Sequence, residues 1–138
     1  MDGPWAQSDS AVDGERREVD TSRYVLIVDD DPDLLEVTTF VIEGEGLAVE
    51  TAKHGEEALA VMRARLPMLV LLDLMMPVMN GWEFLDEVSK DPKLRAIPVV
   101  VLTAGDHTHV PGAMAILIKP MDLGELIRVV ERYVSGDS

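Results

Sequence analysis

From Met68 to Leu72 five consecutive residues are apolar, and the run ends on a carboxylate, Asp73. Pro77 and the pair Asn80-Gly81 bound it downstream, so it predicts a strand buried on both faces, as a helix-covered parallel sheet requires. Tyr24 to Val28 repeats the pattern and ends in Asp29-Asp30-Asp31. Val99 to Leu102 repeats it again and ends in Thr103, with Pro98 tolerated at the strand's start. Leu47 to Thr51 alternates apolar and polar residues, as a half-exposed edge strand does. Met114 to Ile118 is a fifth short run, followed by Lys119-Pro120.

Between these runs the apolar period becomes helical. Asp31-Pro32 is a helix start, with Asp31 as N-cap and Pro32 in the first turn. Leu34, Leu35, Thr38, Val41 and Ile42 then share a face, and Gly44 and Gly46 stop the helix. His54-Gly55 opens a second helix with Ala58, Leu59, Met62 and Leu66 inward, ended by Pro67. Trp82, Leu85 and Val88 mark a third, closing near Asp91-Pro92, and Leu123, Leu126, Ile127, Val130 and Val134 mark the last. Strands alternating with helices predict an α/β fold, a doubly wound five-stranded parallel sheet with right-handed crossovers. There is no internal repeat, and residues 23–135 make one domain. Residues 1–22, rich in Asp, Glu, Ser and Gly, are expected to form a disordered acidic tail, with Trp5 as an exposed aromatic.

Charge narrows the function. The 138 residues carry a formal net charge of −14, which argues against a nucleic-acid or anionic-membrane surface and suits a cation site or a basic partner. No cysteine is present, so thiolate metal sites and disulfides are excluded. Asp73 and Pro77 interrupt the best candidate for a membrane span, and the start of the chain lacks the basic and apolar regions of a secretory signal. The expectation is a soluble cytoplasmic domain.

In a doubly wound sheet the first and third strands are neighbours where the winding reverses, and ligands bind at the carboxyl ends there. That topology gathers Asp29, Asp30 and Asp73 in one cleft. A carboxylate pair about 4 Å apart repels by roughly 4 kcal/mol at an effective dielectric of 20. Lys119 offsets part of this, leaving either a protonated carboxyl or a bound cation. An all-oxygen, partly hydrated site selects Mg²⁺, or Mn²⁺, over zinc or copper. The next two strand ends add the Thr103 hydroxyl and the Lys119 ammonium. Metal, hydroxyl and ammonium around a carboxylate suit a transferring phosphoryl group, with Asp73 as the nucleophile.

The residues VDDDP at 28–32, LLDLMMPVMNGWEFL at 71–85, LTA at 102–104 and IKP at 118–120 resemble the response regulator receiver domains of two-component signalling. The resemblance covers about Arg23 to Tyr133 and implies a flavodoxin-like strand order 2-1-3-4-5. It implies that Asp73 takes a phosphoryl group from a histidine kinase or a histidine phosphotransfer protein. It further implies that Asp30, Asp73 and the backbone carbonyl of Met75 bind the metal directly, Asp29 through water, with Thr103 and Lys119 on the phosphoryl oxygens. It allows a cis bond between Lys119 and Pro120.

Two departures stand out. Receivers commonly carry Tyr or Phe three residues before the Lys, where this chain has Ile116. Only Ala104 to Ala113 separates the fourth and fifth strands, too few residues for two connections and a full helix, and Gly105, Pro111 and Gly112 oppose one. The fourth helix is therefore expected to be shortened or missing. His107 and His109 in that loop read as solvated, and Met75, Met76 and Met79 as core and loop packing rather than a partner surface. Other classes fit less well: no GxxxxGK[ST] of a P-loop nucleotidase occurs, and Asp73-Leu74-Met75 lacks the second carboxylate of a haloacid-type phosphohydrolase. The expectation is a stand-alone, monomeric receiver rather than an enzyme acting on other substrates, signalling to an unidentified downstream protein. The alternative is a pseudo-receiver that binds partners without phosphorylation.

Overall fold

Local capping fixes where strand gives way to helix. The computed structural model describes residues 20–104, 109–120 and 122–134. Its elements run β1 (Asp20–Val28), α1 (Pro32–Gly44), β2 (Leu47–Ala52), α2 (Gly55–Ala64), β3 (Leu69–Asp73), α3 (Gly81–Ser89), α4 (Pro92–Arg95), β4 (Val99–Thr103), β5 (Ala115–Ile118) and α5 (Leu123–Val134). The Asp31 carboxylate caps α1 by accepting the Asp33 and Leu34 N–H groups. Asn80 and Glu83 form a reciprocal capping box at α3, which satisfies two end donors at once. At α2 the cap is His54, whose Nδ1 accepts the Glu57 N–H at 3.2 Å.

The sheet is parallel, in the order β2-β1-β3-β4-β5 expected from the resemblance. Val28 pairs with Leu72, Asp73 with Leu102 and Thr103 with Ile118, so the strand ends finish level at one edge of the sheet. Successive strand residues point to opposite faces. Tyr24, Leu26, Val28, Val70 and Leu72 face α2 and α3, whereas Val25, Ile27, Leu69 and Leu71 face α1 and α5. Every residue of β3 and β4 is buried, which accounts for their unbroken apolar runs.

Several expectations are corrected. β1 begins at Asp20, earlier than the apolar run, because pairing across to Leu47 uses backbone groups and tolerates the polar Asp20-Thr21-Ser22. The rest of the expected tail, including Trp5, lies outside the described residues. On α3 the buried face is Gly81, Phe84, Leu85 and Val88, and Trp82 lies at the exposed side, 36% accessible. Those buried positions have the i, i+3, i+4, i+7 spacing that Trp82 does not share. Leu66, expected inward, is exposed beyond the end of α2, as is Leu123 at the start of α5.

Between Thr103 and Ala115 no helix occurs among the described residues, in keeping with the short span; positions 105–108, including His107, lie outside them. His109 is exposed. Asp91-Pro92 does more than close α3, since Asp91 caps the single turn of α4, which lies before β4 rather than after it. Of the three methionines, Met76 is buried and Met79 packs against the core, but the Met75 side chain is 66% exposed.

Candidate functional site

The level strand ends bring the expected residues together. Asp29 follows β1, Asp73 ends β3, Thr103 ends β4 and Lys119 follows β5. Asp29, Asp73 and Thr103 are almost fully buried, while Asp30 is exposed at the lip. Carboxylate oxygens of Asp29, Asp30 and Asp73 lie within 4.8 Å of one another. Lys119 reaches across from the far strand, its Nζ donating to Asp29 Oδ2 at 3.0 Å and to Asp73 Oδ1 at 3.4 Å. The Lys119-Pro120 bond is cis.

Each carboxylate has a distinct setting. Asp29 Oδ1 accepts the Asp31 N–H at 2.9 Å while Oδ2 holds Lys119, so Asp29 ties the start of α1 to the ammonium. The Asp73 carboxyl is pushed above its ordinary value, first by burial and then by the neighbouring Asp29 charge. Lys119 and the Met75 backbone N–H oppose that rise without cancelling it. Burial alone would lower the Lys119 ammonium, but its bonds to Asp29 and then Asp73 outweigh burial and raise it.

The loop from Leu74 to Asn80 presents Asp73. Met79 donates its N–H to the Pro77 carbonyl, and Val78 between them sits at φ 66°, a γ-turn that is strained for a β-branched residue. Gly55 donates to the Met79 carbonyl and Gly81 to the Leu74 carbonyl, both at 2.9 Å, pinning the loop at two ends. A Cβ at Gly81 would lie 2.7 Å from the Leu74 Cα and 2.9 Å from the Asp73 carbonyl oxygen, so α3 approaches β3 at glycine distance. Sequence reasoning used Gly81 as a turn signal and missed this contact; the Asn-Gly pair directly opposite the strand end was the available clue.

The donor set is all oxygen, with two buried carboxylates, one exposed carboxylate and a single ammonium that leaves net negative charge. These residues fit a hard divalent cation that keeps part of its water shell. Ile116 is partly buried and packs against the α2–α3 side of the core, where its aliphatic side chain has no polar group to re-pair.

Such a cleft, at the carboxyl edge of a 2-1-3-4-5 sheet, has counterparts. The family description "Response regulator receiver domain" matches residues 25–131, and the chain belongs to that family. Protein PilH of Pseudomonas aeruginosa is 32% identical over 118 residues, covering 81% of this chain and 98% of that protein. Among solved structures, the chemotaxis response regulator CheY4 of Vibrio cholerae superposes with a TM-score of 0.74 at 29% identity, covering 80% of this chain and 98% of that one. The response regulator TrrA of Thermotoga maritima, solved in complex with Mg²⁺-BeF, gives a TM-score of 0.72 at 30% identity, with the same two coverages of 80% and 98%. The chain is thus similar to receivers of two-component signalling, and no described helix is long and apolar enough to cross a membrane.

Proposed function

We propose that Asp73 accepts a phosphoryl group from the phosphohistidine of a histidine kinase or phosphotransfer protein, in the cytoplasm, and that the phosphorylated chain signals by binding another protein. The observation that carries this is the buried Asp73 carboxylate within 4.8 Å of two further carboxylates and in contact with one ammonium. An Asp73 oxygen forms the new O–P bond as the P–N bond to the donor imidazole breaks and its electron pair returns to the ring nitrogen. Asp30, Asp73 and the Met75 carbonyl would hold Mg²⁺, or Mn²⁺, with Asp29 acting through water. Bound there, the cation supplies positive charge opposite the phosphoryl oxygens.

The protein's own groups have separable tasks. Lys119, held by Asp29, neutralises one equatorial oxygen, and Thr103 at the neighbouring strand end offers its hydroxyl to another. The Met75 N–H and the pinned loop orient Asp73, so that little reorganisation is needed at the moment of attack. On this reading the chain is a phosphoacceptor acting on itself rather than an enzyme with a separate substrate. Ile116 and the lack of a helix between β4 and β5 among the described residues favour a second reading, a pseudo-receiver whose binding ignores phosphate. The complete acidic cleft with its lysine supports the first. Incubating the protein with acetyl phosphate and Mg²⁺ and weighing it by intact mass spectrometry separates them.

A further inference from the structure

The flank of α3 that carries Trp82 borders two cavities. One, of about 310 Å³, lies between α3 and the β4–β5 connection, lined by Trp82, Leu85, Asp86, Ser89, Pro111 and Gly112. The other, of about 430 Å³, continues along α3 past Val78, Met79, Glu83 and Glu87. Trp82 and Asp86 border both, so the two make one groove with an indole at its middle. It exists because Pro111 and Gly112, rather than a helix, stand opposite Leu85. Gly112 holds φ +92°, a conformation that L side chains rarely adopt, and a Cβ there would touch Leu85 Cδ2 at 3.6 Å. The groove wall at Gly112 is therefore bare backbone.

Its chemistry is two-sided. Trp82 and the 72%-exposed Val78 supply apolar surface over the largely buried Leu85, and Glu83, Asp86 and Glu87 supply a carboxylate rim. Lys90 Nζ sits 3.3 Å from both Asp86 Oδ2 and Glu87 Oε2. That pair accepts an ammonium, and because all three groups are substantially exposed the intramolecular one is weakly held and exchangeable. At the far end Arg95 reaches the Ser89 carbonyl at 3.5 Å.

We propose that this groove docks a basic, amphipathic segment of another protein. A large apolar side chain seats against Trp82 between Leu85 and Pro111-Gly112, and flanking Lys or Arg residues take the Glu83, Asp86 and Glu87 carboxylates. The small cavity lies at the bottom of the roughly 300–1,000 Å³ range of organic-ligand sites, which favours one anchoring side chain over a small molecule. A second copy of this chain is a poorer occupant, since a protein of net charge −14 would bring like charge to a carboxylate rim. The proposal goes beyond phosphoacceptance and does not depend on it; Asp73→Asn is expected to bind the same probe.

The test is a titration of the ¹⁵N-labelled full chain with three synthetic peptides of equal length, built from Leu and Lys, Ser and Lys, or Leu and Glu. The Leu/Lys peptide is expected to bind saturably, with shift changes centred on Trp82, Leu85 and Gly112. Trp82→Ala weakens it about tenfold, as loss of a central aromatic anchor does. Lys90→Gln tightens it roughly threefold by freeing the rim, whereas Glu36→Gln and Glu43→Gln on α1 leave it unchanged. If Trp82→Ala does not fold, Lys90→Gln and Asp86→Asn decide by their opposite signs. Equal binding of the Ser/Lys peptide, shifts centred on α1, no effect of Lys90→Gln, or a dimer that closes over Trp82 in sedimentation would each overturn the proposal.

Discussion

Asp73 is an acid held where its charge is disfavoured. Its folded-state carboxyl titrates above the ordinary value of 3.8 because burial and Asp29 outweigh Lys119. The sign follows from linkage: the folded chain binds this proton more tightly than the unfolded chain, so folding is favoured on the acid side. Stability from this group falls as pH rises from the ordinary value through the raised one, and the penalty is complete above it. Asp73→Asn, which removes the charge and nearly keeps the shape, should therefore raise the metal-free melting temperature at pH 7. That advantage should disappear as the pH falls below the ordinary carboxylate value. Melts across pH without divalent cation check this, and an Asn variant less stable at pH 7 would mean that the Lys119 ion pair dominates. Lys119 has the same sign of linkage at higher pH, its raised folded value contributing stability below its ordinary 10.5 that is lost as pH rises through the higher one.

Among the elements, α3 shapes the site through its first turn. Its first residue, Gly81, lets the helix lie on the Asp73–Leu74 backbone, and Asn80 caps it in the same turn. Gly81→Ala places a methyl 2.7 Å from the Leu74 Cα, which only a backbone shift relieves. The expected cost is about 1–3 kcal/mol of stability, the range for overpacking a tight site. Phosphorylation should also slow, because the same shift moves Asp73; denaturant unfolding and a phosphorylation time course read the two effects. An alanine variant with unchanged stability would show that the close approach is not needed.

The sequence made some of these elements far plainer than others. Strands β3 and β4, buried on both faces, left unbroken apolar runs, and the carboxylate, hydroxyl and lysine at the strand ends identified the cleft. Trp82 misled because its hydrophobicity suggested the core, although Phe84 and Leu85 fall on the inward stripe and it does not. The start of β1 at Asp20 was hidden because a polar strand end pairs through its backbone and leaves no side-chain pattern. The contact of Gly81 with Leu74 and the γ-turn at Val78 depend on tertiary approach, for which sequence offers no periodic signal.

For the molecule as a whole, three features limit a phosphate-driven assembly. Ile116 has no polar group to change partners between states and packs against the core, so it gives little differential contact with which to bias two conformations. No helix stands between β4 and β5 among the described residues, and the net charge of −14 opposes self-association. The chain is expected to sediment as a monomer with Mg²⁺ and beryllofluoride as well as without them. A beryllofluoride-dependent dimer would contradict this and return the output to a face formed by β5 and α5.

The cleft itself is tested most directly by mass. After incubation with acetyl phosphate, the intact protein should gain one phosphoryl group when Mg²⁺ is present and none when the cation is chelated. Asp73→Asn should gain none under either condition. A gain that persists in the Asn variant, a gain without any divalent cation, or no gain in the unaltered chain would contradict Asp73 as a metal-dependent phosphoacceptor.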